Sequence, residues 1–147
     1  MLRRSGLQAL QALLELARHG QQWSSVSAIA TAQELPAPML EQLLLQLRRA
    51  ELVESRRGRQ GGYRLSRAPE AIPVAEVLDA VGAPLQLSEG PAEGSDGRAE
   101  TQVLQSMGQR LQNAIERELK QLTLQELLFD LESWKEYLSN EGGLMLG

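Results

Sequence analysis

"LPAPMLEQLLLQLRRAELVESRRGRQGGYRLSR", residues 35 to 67, changes its hydrophobic period halfway along. Up to Arg49 the leucines recur at helical spacing, so Leu40, Leu43, Leu44 and Leu47 form one stripe, and Pro38 suits the first turn, where a missing N–H is not felt. That stripe leaves Met39, Glu41, Gln42, Gln46 and Arg49 facing mostly outward. From Leu52 the pattern alternates as far as Arg56, and it alternates again from Tyr63 to Ser66, with Gly58, Gly61 and Gly62 in the turn between. The stretch predicts a helix followed at once by a β-hairpin whose turn is rich in arginine.

Upstream, Leu7, Leu10, Leu13, Leu14 and Ala17 predict an amphipathic helix from about Ser5 to Arg18, with Gly20 as its stop and His19 as a C-terminal helix residue. A short second helix opens at Ser27 as N-cap and runs to about Gln33, before the breaker run at residues 35–38. Two helices joined by a tight turn also occur as a plain packing unit. The hairpin directly after them makes the order that of a winged helix-turn-helix, which lays a helix in the major groove and a hairpin on the flanking backbone or minor groove.

Downstream, residues 72–81 read as a short helix, and residues 82–98, with four Gly and two Pro, as an exposed loop. Leu104, Met107, Leu111, Ile115, Leu119 and Leu122 then mark one face of a long helix. Thr123 and Glu126 form a capping box that opens a last helix with Leu124, Leu127, Leu128, Leu131, Trp134 and Leu138 on its apolar side. The plain alternative is that this stripe completes the monomer's own core, but so long a helix beside a small domain must bury its far half somewhere, and a symmetric helix pair does so, making a homodimer. Dimerisation places two recognition helices about one turn of DNA apart, roughly 34 Å, and calls for a near-palindromic operator. The expected fold is mainly α with a small β-hairpin: a winged helix-turn-helix plus a long dimerisation helix. Its parts are a DNA-binding unit over 1–81, a flexible loop over 82–100 and dimerisation helices over 101–147.

Composition agrees. Hydrophobic residues make up 42% of the 147 residues and aromatics only 3%, a mix that favours leucine-packed helices over a β-sandwich. Residues 1–67 hold ten Arg against five Glu, while residues 68–147 hold five Lys and Arg against fourteen Asp and Glu, so one end suits a polyanion and the other stays off it. There is no cysteine, which excludes disulfides and thiolate metal sites, and no apolar run reaches the length of a membrane span. No signal peptide is read at the N-terminus, so the expected compartment is the cytoplasm. An enzyme finds little support in a chain with a single His, no Cys, no phosphate loop and no paired carboxylates.

Residues 35–67 resemble the Rrf-two family of bacterial winged-helix transcription regulators. Its core pattern is kept at Leu40, Glu41, Gln42, Leu43, Leu47, Arg48, Ala50, Leu52, Val53, Ser55, Arg57, Gly58, Gly61, Gly62, Tyr63 and Leu65. Weaker similarity extends over the first helix, over residues 69–84 and over T-L-x-E-L at 123–127. Met39 and Gln8 stand where the family has tyrosines, and Glu51 where it has a glycine. Members that bind an iron–sulfur cluster carry three cysteines in the loop matching 82–100, and this loop has none. The resemblance thus implies a sequence-specific DNA-binding regulator, more often a repressor, with no cluster as cofactor, and leaves three modes open: constitutive DNA binding, a small molecule near the 82–100 loop, or a partner protein.

On that frame, Arg57 is expected to enter the minor groove, because guanidinium is flat and weakly hydrated, while Arg56, Arg59 and Arg64 meet phosphates. Gly58, Gly61 and Gly62 allow close approach, and Tyr63 packs the hairpin with its hydroxyl in reach of a phosphate. Glu41 and Gln42 can read base edges, Gln on adenine and Glu on cytosine. Met39, Arg49, Ser27 and Arg3 complete the expected DNA-binding set. The bland alternative to each is a solvated hairpin, a solvated helix face and a merely soluble basic tail, and the alternative function is a winged-helix module that binds protein without an operator. Glu89, Glu93 and Asp96 read as solvated loop acids, and no metal site is expected.

Overall fold

The computed structural model describes residues 2–87 and 97–146. The elements follow in the order α1 (Arg4–Arg18), α2 (Val26–Gln33), α3 (Ala37–Arg49), β1 (Val53–Arg56), β2 (Gly62–Leu65), a 3-10 turn (Pro69–Ala71), α4 (Val74–Ala80), α5 (Ala99–Gln121) and α6 (Leu124–Leu146). Helices with one small hairpin are what the leucine periodicity and the glycine-rich turn dictate. The acids Glu89, Glu93 and Asp96, and the middle of the expected 82–100 loop, lie outside the described residues.

The core is built from the stripes: Leu10, Leu13 and Leu16 of α1, Ile29 of α2, Leu40, Leu43, Leu44 and Leu47 of α3, with Leu52, Val53 and Leu65 from the hairpin. Val74, Val77 and Leu78 of α4 close it, and so does Leu124 at the start of α6, which is fully buried in the same cluster. Removing a buried leucine methyl set here costs about 3 kcal/mol through lost transfer energy and a residual cavity.

Two helical details differ from the sequence reading. Leu7, expected on the buried face of α1, is 47% exposed. Gly6 takes the inward position instead, with an added Cβ there meeting Leu78 Cδ2 at 2.8 Å, so α4 packs where only a glycine fits. The N-cap of α2 is Ser25, not Ser27: the Ser25 hydroxyl accepts from the Ala28 amide at 3.0 Å, and Ser27 lies exposed in the first turn. Elsewhere the caps agree with the pattern, as Thr123 Oγ1 accepts from the Glu126 amide at 3.3 Å to open α6.

Glu51, between α3 and β1, has φ +62°. Left-handed backbone favours glycine, so this turn holds the conformation that the resembled family meets with Gly at a cost to Glu of about 1 kcal/mol. A short clasp joins the start of α4 to the turn between α5 and α6: the Val74 amide donates to Leu122 O and the Leu124 amide to Ile72 O, both at 2.8 Å, around a bridge between Pro73 and Thr123.

Glu15 is the buried charge of the fold, 5% exposed on the inner face of α1. Gln33 Nε2 donates to its Oε2 at 2.9 Å, His19 Nε2 lies 3.0 Å from Oε1, and Arg18 sits 3.3 Å away while also reaching Glu132 of α6 at 3.6 Å. Burial alone would raise the carboxyl, but the His19 and Gln33 hydrogen bonds and the Arg18 charge outweigh it, holding its pKa below the ordinary 4.5. A depressed carboxylate stabilises the fold above its unfolded pKa, and that contribution is lost as pH falls through the folded value. Glu15→Gln should therefore lower stability by about 1–2 kcal/mol at pH 7. The gap to wild type in urea midpoints is expected to close on acidification below 4.5. A gap independent of pH would show that the charge is not what matters.

Candidate nucleic-acid interface

The third helix and the hairpin are consecutive, linked only by residues 50–52. Glu41 and Gln42 are exposed on the first two turns of α3, behind which Leu40, Leu43 and Leu44 are buried, so the leucine stripe fixes which side chains point out. Arg49 is exposed in its last turn. Met39, expected to face mostly outward, is half-buried and packs against the core.

The hairpin pairs antiparallel in the register Val53↔Leu65, Glu54↔Arg64, Ser55↔Tyr63 and Arg56↔Gly62. It is anchored by an isolated bridge to the α1–α2 connection: Ser24 N donates to Tyr63 O at 2.9 Å and Tyr63 N to Ser24 O at 2.8 Å. That contact demands Gly62, which has φ +142° and whose added Cβ would lie 2.2 Å from the Ser24 carbonyl oxygen. Gly61 is equally tight, with a built Cβ 2.1 Å from Arg56 O, whereas Gly58 at φ +111° meets nothing. Tyr63 is half-buried against the core, in keeping with hairpin packing.

The four wing arginines are not equivalent. Arg64 pairs with Glu54 at 2.5 Å, donates to Gln21 O at 3.3 Å, and sets its guanidinium 4.2 Å from the centre of the Trp23 ring. Arg56 lies 4.9 Å from the same ring and donates to Gln60 O at 2.8 Å. Two of the three side chains expected on phosphates, Arg56 and Arg64, are thus engaged within the protein. Arg57 and Arg59 are exposed and make no hydrogen bond or ion pair with the described residues. Arg3 is exposed at the N-cap of α1, its carbonyl accepting from the Leu7 amide at 3.1 Å. Trp23 escaped the sequence reading, because its partners lie 33 and 41 positions downstream and nothing local marks them.

On α5 the expected apolar stripe divides. Leu119 and Leu122 pack against the core and Ile115 is half-buried, but Leu104, Met107 and Leu111 are half or more exposed, joined by Val103.

A buried helical core that displays one outward-reading helix and an anchored, cationic hairpin is a winged helix-turn-helix DNA-binding unit. The comparisons give its family. A model described as "Iron-dependent Transcriptional regulator", the Rrf2 family, matches residues 2–130. An HTH-type transcriptional regulator of Synechocystis sp. is 38% identical over 129 residues, 86% of either chain. The regulator CymR of Bacillus subtilis is 32% identical over 83% of this chain and 85% of its own. Among solved structures, CymR of B. subtilis, the global cysteine regulator, superposes with a TM-score of 0.73 over 87% of this chain and 95% of its own. IscR of T. potens gives 0.72 at 34% identity over 90% and 89%. The chain belongs to the Rrf2 family; it is a DNA-binding transcriptional regulator and not an enzyme.

The iron of the family description finds no thiolate donors here, since the sequence has no cysteine. Its single histidine, His19, is committed to Glu15, and no group of three potential ligands converges among the described residues. These residues do not fit an iron–sulfur cluster. No helix among the described residues is long and apolar enough to cross a membrane.

Proposed function

We propose that the protein acts in the cytoplasm as a homodimeric repressor on a near-palindromic operator, and that it does so without an iron–sulfur cluster. The observation that carries this reading is the bare face of α5, where Leu104 is 61%, Met107 52% and Leu111 50% exposed on a helix whose other end is packed. Monomers rarely leave such a contiguous apolar strip in water, and a two-fold pair of helices covers it. In this division of labour residues 1–81 hold the DNA, residues 82–100 connect, and residues 101–147 pair the two copies. Glu41 and Gln42 read base edges in the major groove, with Met39 in the first turn of the same helix and Ser27 on α2 beside it. Arg57 enters the minor groove, and Arg59, Arg49 and Arg3 meet phosphates. A small molecule or a partner protein supplies the signal.

Selecting duplexes from a random pool with purified protein tests this. Enriched sites should be two-fold symmetric, with half-sites about one helical turn apart. Glu41→Ala and Gln42→Ala should change the preferred bases, Arg57→Ala should weaken binding about tenfold, and Arg59→Ala, which removes a phosphate contact from each of two protomers, should reduce the slope of log affinity against log salt by about 1.8. Enrichment of no sequence would favour the other reading, a winged helix that docks on protein.

A further inference from the structure

We propose that Trp23 is the positioning residue of the wing: by holding Arg56 and Arg64 on its indole, it fixes the hairpin so that Arg57 and Arg59 meet the duplex already ordered. The inference rests on the wing being a DNA contact, as argued above. Trp23 sits in the connection between α1 and α2, half-buried, one residue before the Ser24 backbone that pairs with Tyr63. Backbone pairing fixes β2 at Tyr63, one pair short of the turn. The ring then takes two guanidinium groups from the same face of the hairpin, Arg64 at 4.2 Å and Arg56 at 4.9 Å. Glutamate 54 neutralises Arg64, and Arg56 carries the chain of contacts outward by donating to Gln60 O in the turn at 2.8 Å. A continuous path thus runs from the α1–α2 connection through Trp23 and Arg56 to the wing tip, where Arg57 and Arg59 stand.

Two like charges this close on a short hairpin repel, and the negative face of an aromatic ring together with one carboxylate offsets that repulsion. Without the ring Arg56 loses its anchor, and the turn is held to the body only through its strands and the Ser24 pairing. The loss on binding would then be the ordering of a loose turn, not a missing contact. The signature is lower affinity at an unchanged count of neutralised phosphates.

On the duplex obtained by selection, Trp23→Leu should bind about tenfold more weakly, with the salt slope unchanged, whereas Trp23→Phe, which keeps a π face, should retain most of the affinity. Arg56→Gln should weaken binding less in the Trp23→Leu background than in wild type, because the two act through one contact. Fluorinated tryptophan at position 23, in a Trp134→Phe background that leaves one site of labelling, empties the ring's negative face with little change in volume. It should lower affinity about threefold while the melting temperature holds, and it decides the matter if Trp23→Leu fails to fold. The proposal is overturned if Trp23→Leu or the fluorinated protein binds as tightly as the parent, if the slope falls by a phosphate's worth, or if the Trp23 and Arg56 effects simply multiply. Arg57→Ala is the control: if it too binds like wild type, the reading of the wing fails, whereas an Arg57 effect without a Trp23 effect sinks only the present inference.

Discussion

Leu111→Arg should turn a dimer into a monomer and weaken duplex binding at least about a hundredfold, the loss expected when two linked half-site contacts become one. Leu111 stands 50% exposed in the middle of the bare strip, between Met107 and the half-buried Ile115. In a two-fold seam each copy would bring a new guanidinium against the other's apolar strip, where burying the charge costs several kcal/mol. The fold itself loses little, because half of this side chain is already in water. Sedimentation gives the mass and a binding titration gives the affinity. An unchanged dimer would move the seam away from this face, and a monomer that still binds as tightly would separate dimerisation from DNA recognition.

Gly62→Ala is the second large effect. Its φ of +142° is closed to L side chains, and the added methyl would sit 2.2 Å from the Ser24 carbonyl oxygen, a backbone atom that cannot step aside without breaking both hydrogen bonds to Tyr63. A destabilisation on the order of 3 kcal/mol follows, or roughly 10 °C in melting temperature for a chain of this size. Duplex binding should fall further than stability alone requires, because the hairpin loses its bridge to Ser24. Gly58→Ala is the comparison: its Cβ meets nothing, so only the φ of +111° is felt, at about 1 kcal/mol. Equal effects at the two positions would mean that the Ser24 contact is not what Gly62 serves.

What could be read ahead of the structure was whatever one element decides for itself. The leucines of α3 needed only their own spacing to declare a buried stripe, and the alternation around the glycine-rich turn declared the hairpin with strand ends shifted by one residue. What escaped was settled by distant partners. Ser25 and Ser27 are equally good caps in isolation, and Leu7 looks more like core than Gly6 until α4 presses Leu78 against that turn. In the same way, Arg56 and Arg64 read as free cations until Trp23 and Glu54 are brought to them across the sheet. Along α5 a single uninterrupted stripe covers two surfaces, because periodicity reports which side is apolar and is silent about which neighbour lies against each turn.

The main-chain clasp at Pro73 and Thr123 has a consequence for how any signal could travel. Leu122 and Leu124 are bonded on either side of a single residue to Ile72 and Val74, so the turn between the two long helices is stitched to the reading head with no slack. An input received along the spine would therefore reach the operator as a shift in the distance or tilt between two stiff halves, in the manner of subunits rotating about a shared seam, and not as the flexing of a swivel.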